Sequence, residues 1–80
     1  MGIYNAVVIR INELLDEKQI TANALAYKSG VSQSTIKSIL NGESLNPGIV
    51  TIKKICDGFE ILINEFFDAP VFYNLNQEIK

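Results

Sequence analysis

Residues 20–42 read ITANALAYKSGVSQSTIKSILNG, two short helical runs with almost nothing between them. Thr21 is a good N-cap for the first run, because its hydroxyl can accept an otherwise unpaired amide hydrogen of the first turn. Ile20 before the cap and Leu25 after it have the spacing of a hydrophobic staple, which fixes how the chain enters the helix. Ala24, Leu25, Ala26 and Tyr27 continue the run until Ser29-Gly30 stops it. Ser32 then caps a second run, with Val31 and Ile36 as its staple. Thr35, Ile36, Ile39 and Leu40 carry that run to Asn41-Gly42, a left-handed C-terminal stop. Only the three residues Gly30 to Ser32 join the two runs. So tight a turn forces a large crossing angle, the αα-corner of a helix-turn-helix.

On the N-terminal side of this pair, the pattern predicts a helix from about Tyr4 to Glu17. Val7/Val8, Ile11 and Leu14/Leu15 recur at three- to four-residue spacing and so share a face. The β-branched cluster Val7, Val8, Ile9 and Ile11 hints at a strand, but the amphipathic period and the acidic end from Glu13 favour helix. Downstream, residues 43–48 (Glu-Ser-Leu-Asn-Pro-Gly) are a loop by composition. A fourth helix is expected from about Ile49 to Gly58, with Ile52, Ile55, Cys56 and Phe59 on one face, and a fifth over about Ile63 to Phe67. Pro70 ends the regular pattern, and Val71-Phe72-Tyr73-Asn74-Leu75 is apolar enough to want a partner surface. The expected architecture is all-α with five helices. Its first unit spans residues 1–68, and residues 69–80 form a C-terminal tail and candidate dimer contact.

Composition narrows the function classes. Eighty residues, 48% hydrophobic and 20% charged, suit one folded domain and not a disordered chain. Histidine is absent, so no imidazole can act as base, metal ligand or pH switch. Together with the lack of a metal cluster or base-activated nucleophile, this argues against an enzyme and against any cofactor. The single cysteine, Cys56, cannot form an intrachain disulfide and reads as a small core residue. Apolar runs such as Ala6 to Ile9 are far short of the roughly 18 residues of a spanning helix. The start Met1-Gly2-Ile3-Tyr4-Asn5 has no basic leader, so a cytoplasmic location is expected. The five glycines form no phosphate-cradling loop, and no small-molecule ligand is evident. The net charge is −2, but it is uneven: residues 1–19 carry −1, residues 20–54 carry +3 and residues 55–80 carry −4. A basic middle between acidic ends is compatible with one working face, but charge alone favours an ordinary mixed surface.

The run from Ala22 to Asn41 resembles the Cro and phage-repressor type of helix-turn-helix DNA-binding domain, the XRE-like family with a compact, lambda-repressor-like fold. The resemblance continues through Asn41-Gly42, Asn46-Pro47, Thr51-Ile52, Ile55 and Glu65-Phe66-Phe67, covering about residues 5–68. In its terms, Ala26 lies where the second helix crosses the third, Gly30 takes a positive-φ turn position, and Leu25, Val31, Ile36 and Ile39 lock the pair. The chain departs from the family at Gly58, inside the fourth helix at a cost of roughly 1 kcal/mol relative to Ala. It departs again at Glu60, where a glycine is usual, and at Leu62, where a Ser or Thr cap is usual. These departures bear on the junction of the fourth and fifth helices.

The resemblance implies binding to double-stranded DNA as a transcriptional regulator, a repressor being the expected kind, with the third helix in the major groove. It places Gln33, Ser34, Lys37 and Ser38 at base edges. Gln33 can bind adenine in bidentate fashion, and Lys37 can reach guanine acceptors or a phosphate. Backbone contacts are expected from Thr21, Asn23, Lys28, Thr35, Asn41, Ser44 and Asn46, with free amides at the start of the second helix and after the third aimed at phosphates. A single unit reads few base pairs, so a homodimer on two half-sites is expected. Its candidate contact lies among Phe66, Phe67, Phe72, Tyr73 and Leu75; Phe66 and Phe67 could equally close the monomer's core. The rival reading is a protein-interaction module, antitoxin-like or a phage-related adaptor, that keeps the helix-turn-helix and holds a partner with its acidic C-terminal end.

Overall fold

A computed structural model describes residues 1–79, and every regular element among them is helical. The order is α1 (Ile3–Lys18), α2 (Ala22–Ser29), α3 (Gln33–Leu40), α4 (Ile49–Phe59) and α5 (Ile63–Phe67), followed by a single 3₁₀ turn, Pro70–Phe72. The all-α, five-helix expectation holds. No helix among the described residues is long and apolar enough to cross a membrane.

In α1 the amphipathic period overrides the β-branched cluster. Ala6, Val7, Ile11 and Leu14 are buried on one face, where burial outweighs the small intrinsic penalty of branched side chains in a helix. The helix runs one residue further at each end than its pattern suggests, and it closes on Gln19 in a left-handed conformation (φ 55°). The Ile20 N–H then donates to Leu15 O at 3.0 Å and the Gln19 N–H to Asp16 O at 3.2 Å, the paired bonds of a Schellman ending.

One core joins all five helices. Leu25 and Ala26 of α2, Ile36 and Ile39 of α3, Ile52, Ile55, Cys56 and Phe59 of α4 and Phe66 of α5 pack with the α1 face and Val31. The ends of α2 and α4 approach each other closely. A Cβ built on Gly58 would lie 2.9 Å from the Ser29 Cβ and 3.0 Å from the Ser29 nitrogen. Gly58 is therefore what lets α4 seat against α2; the helix-propensity cost seen in the sequence is offset by packing.

The α4–α5 junction absorbs the two other departures differently. Glu60 takes the left-handed position (φ 60°) that a glycine would fill without strain. Ahead of α5, Leu62 has no side-chain cap to offer, but its own N–H donates to the Glu65 Oε1 at 3.0 Å. That is half of a capping box. At the other end of α5, Arg10 donates through Nε to Phe66 O at 2.7 Å and through Nη2 to Glu65 O at 2.9 Å. A cation satisfying the last carbonyls of a five-residue helix compensates for its shortness.

Beyond α5 the chain folds back on α1. Phe66, Phe67 and Phe72 form an aromatic cluster with centroid separations of 5.0–6.1 Å, and the Asn76 N–H donates to Met1 O at 2.9 Å. Phe66 is fully buried, so it closes the monomer's core. Tyr73 is exposed and Leu75 half-buried.

Candidate nucleic-acid interface

The α2–turn–α3 unit is built by its own side chains. Thr21 Oγ1 accepts from the Ala24 N–H at 3.1 Å, and Ser32 Oγ accepts from the Thr35 N–H at 3.2 Å. Gly30 holds φ 72° as the C-cap of α2, where a Cβ would be strained. Both expected caps and the expected turn glycine are in place. Each cap uses the third amide of its helix, so the first two (Ala22 and Asn23 in α2, Gln33 and Ser34 in α3) keep outward-directed hydrogens without an intrahelical acceptor.

In α3, burial divides the two flanks. Ile36 and Ile39 are each 1% exposed, whereas Gln33, Ser34 and Lys37 are exposed and Thr35 and Ser38 half-buried. The exposed flank is polar and not covered by any other segment of the described residues. Lys37 has no carboxylate within ion-pairing distance among them; the pairs formed are Arg10–Glu13 and Lys53–Asp57. Ser32 organises this flank in a way that the sequence did not reveal. Its hydroxyl donates to Thr35 Oγ1 at 2.9 Å and lies 3.2 Å from Ser34 Oγ. Three hydroxyl residues within the four positions Ser32 to Thr35 were the available signal.

The loop after α3 corrects one expectation. The amides of Asn41 to Ser44 do not point outward. The Asn41 N–H donates to Lys37 O at 2.8 Å, and those of Glu43 and Ser44 both donate to Ser38 O at 2.9 and 3.1 Å. The Gly42 N–H turns back to Ile39 O at 3.4 Å. These bonds satisfy carbonyls at the end of α3, so Asn41 and Ser44 have only their side chains left for a ligand. Gly42 alone supplies the left-handed stop, at φ 82°, while Asn41 sits at φ −93°. Tyr4 adds an unforeseen tie, its hydroxyl donating to Ile39 O.

The residues expected at DNA fall, Thr35 and Lys28 aside, into three groups, with Ser38 and Ser44 half-buried and the others exposed. Gln33, Ser34, Lys37 and Ser38 share α3; Thr21 and Asn23 open α2; Asn41, Ser44 and Asn46 follow α3. Lys28 stands apart from them, lining a shallow hollow with Lys18, Ile20, Gly58, Phe59 and Glu60. Cys56 is buried, and burial pushes its thiol pKa up, which favours the inert thiol over the thiolate.

A sequence model of the Cro/C1-type HTH DNA-binding domain matches residues 10–70, from the middle of α1 to the start of the 3₁₀ turn. The chain belongs to that family. The span takes in the whole of α2 to α5, and the family agrees with the all-helical order. Among curated proteins, the HTH-type transcriptional regulator SlrR of Bacillus subtilis (strain 168) is 38% identical over 52 residues. The match takes in 65% of this chain and 34% of SlrR, so the chain spans about a third of that relative. No solved structure matches significantly.

Proposed function

We propose that this chain is the DNA-reading domain of a transcriptional regulator, acting as a homodimer that lays α3 of each copy into the major groove of double-stranded DNA and represses transcription. The observation that carries this reading is the uncovered polar flank of α3 on a rigid helix pair, with Ile36 and Ile39 sealing the opposite flank. The family relationship and the name of the matched regulator support it.

In this reading Gln33 bonds a base edge in bidentate fashion, and Lys37 reaches guanine acceptors or a neighbouring phosphate. Ser34 and Ser38 add short contacts to base or sugar edges. The free amides of Ala22 and Asn23, with the side chains of Thr21 and Asn23, clamp a phosphate at the start of α2. Asn41, Ser44 and Asn46 clamp the strand beyond the end of α3. Thr35 serves mainly through its bond to Ser32, which holds the first turn in register. Lys28, facing the Lys18–Glu60 hollow, contributes least. The working site of such a protein is the cytoplasm.

A salt-titrated gel shift on the DNA upstream of the chain's own gene tests the reading. Gln33→Ala should erase about 1–3 kcal/mol of preference for the bound site over scrambled duplex. Lys37→Ala should weaken binding to the same site and flatten its salt dependence. Wild-type retention of neither duplex at low salt, together with salt-insensitive capture of a protein, is the result that rejects it.

A further inference from the structure

The two ends of α3 are held by hydroxyls from different parts of the chain. Its first turn is fixed locally, by Ser32 Oγ accepting from the Thr35 N–H and donating to Thr35 Oγ1. Its last turn carries the carbonyls that any helix end leaves without intrahelical donors. Lys37 O and Ser38 O are satisfied by amides of Asn41, Glu43 and Ser44, neighbours that would travel with α3. Ile39 O differs. The Gly42 N–H approaches it only to 3.4 Å, long for a backbone bond, and its other donor is the Tyr4 hydroxyl, 35 residues away in α1. Among the described residues this is the one hydrogen bond that reaches α3 from outside residues 32–44.

We infer that Tyr4 is a positioning residue for base reading: its hydroxyl sets the tilt of the last turn of α3 and so places Lys37, Ser38 and the loop behind them against the duplex. The inference rests on the DNA-binding reading above. Ile36 and Ile39 hold α3 on the core by apolar burial, which resists separation but is not directional. A directional bond at the far end supplies the missing constraint. The lever is long enough to matter. α3 has 8 residues and so spans about 12 Å. A tilt of about 10° about its first turn would carry the last turn about 2 Å, beyond the reach of a hydrogen bond to a base edge.

The surroundings of the Tyr4 ring agree with this role. The ring is half-buried against the core and lines a groove of about 310 Å³ with Leu45, Asn46, Pro47 and Ile49, so the same side chain borders the loop that carries the proposed strand contacts. A Cβ on Gly42 would stand 4.0 Å from the Tyr4 oxygen, which puts the hydroxyl at the stop of α3. Tyr4 also lies ahead of residues 10–70, the span of the Cro/C1-type match; the tie is therefore not something the family relationship supplies. Base reading is divided accordingly: Gln33 and Ser34 take their place from Ser32, and Lys37 and Ser38 take theirs from Tyr4.

The test uses the whole chain, a duplex recovered by selection from a randomised library, and a set of duplexes with one base pair changed in each. Lys37→Ala and Ser38→Ala mark the base pairs read by the last turn, and Gln33→Ala those read by the first. Tyr4→Phe keeps the ring and removes the hydroxyl. It should stay folded by circular dichroism and bind the selected duplex about fivefold or more weakly. It should lose discrimination at the last-turn base pairs while keeping it within about twofold at the first-turn ones. Tyr4→Met, which also lacks the hydroxyl, should repeat that split. Ile55→Val, a core truncation in α4, lowers stability and should leave every preference unchanged. Full discrimination in both Tyr4 variants, an even loss across all base pairs, or the same loss in Ile55→Val overturns the inference. So does unfolding of Tyr4→Phe, which would make the hydroxyl a requirement of the fold instead. Failure to enrich any duplex, with no binding by wild type, removes the DNA-binding reading and the inference with it; the inference alone fails only where wild type binds and discriminates.

Discussion

Gly58→Ala sets two opposed effects against each other. At an unpacked helix position the change stabilises by about 1 kcal/mol, because alanine loses less backbone freedom on folding. Gly58 is not unpacked. The added Cβ would meet the Ser29 Cβ at 2.9 Å, the Ser29 nitrogen at 3.0 Å and the Ser29 Cα at 3.1 Å. None of these atoms is the far end of a flexible side chain, and the backbone there is held by the Gly30 N–H bond to Ala26 O at 3.1 Å. Relief requires α2 and α4 to separate, and overpacking of this kind costs about 1–3 kcal/mol. Set against the propensity gain, the net effect runs from about zero to a destabilisation of about 2 kcal/mol. For a domain of this size that lowers Tm by about 4–8 °C per kcal/mol. Urea unfolding followed by far-UV circular dichroism should show a midpoint at or below that of wild type, at an unchanged slope. Adding Ser29→Gly should recover only part of the loss, because the clash with the Ser29 backbone persists. A Gly58→Ala protein more stable than wild type by the full ~1 kcal/mol of an unpacked helix position would overturn the claim that this glycine sets the α2–α4 distance.

Other substitutions follow from the same geometry. Glu60→Gly should stabilise by about 1 kcal/mol in the same urea assay, since it relieves a left-handed non-glycine residue at φ 60°. Arg10→Met should destabilise by about 1.5–3 kcal/mol through the lost charged hydrogen bonds to Phe66 O and Glu65 O. Hydrogen exchange should show α5 fraying first. Because burial raises the Cys56 pKa, the folded chain keeps a proton that the unfolded chain releases above about pH 8.5. Stability therefore falls as the pH climbs past that value, and a thiol reagent should react with native Cys56 only at the rate of opening. Lys37 and Lys28 are the cations proposed for the DNA surface, so the slope of log K against log salt should not be steeper than about −2 per subunit.

Much of this fold was legible because its signals are local. The caps Thr21 and Ser32, the turn at Gly30 and the buried spacing of Leu25, Ile36 and Ile39 each depend on a few neighbouring residues, and the structure places them as their pattern implies. The signals that could not be read are those between distant segments. Gly58 looked like a flaw until Ser29 lay across from it. Nothing in the sequence around Arg10 points to the end of α5, 55 residues away, whose carbonyls it bonds. The loop amides after α3 looked free because nothing in the residues Asn41 to Ser44 says that they turn back on Ser38 and its neighbours. The candidate site was likewise visible as a polar flank, but the Ser32 hydroxyl bonds and the groove beside Leu45 and Ile49 required three dimensions.

Where DNA meets this chain can be mapped residue by residue through backbone amide shift perturbation in nuclear magnetic resonance. With ¹⁵N-labelled protein titrated by the selected duplex, the largest shifts should fall on Gln33–Ser38, on Thr21–Asn23 and on Asn41–Asn46, and the acidic segment after α4 should stay still. Large shifts confined to that acidic segment, with α3 unmoved, would be incompatible with α3 as the reading helix.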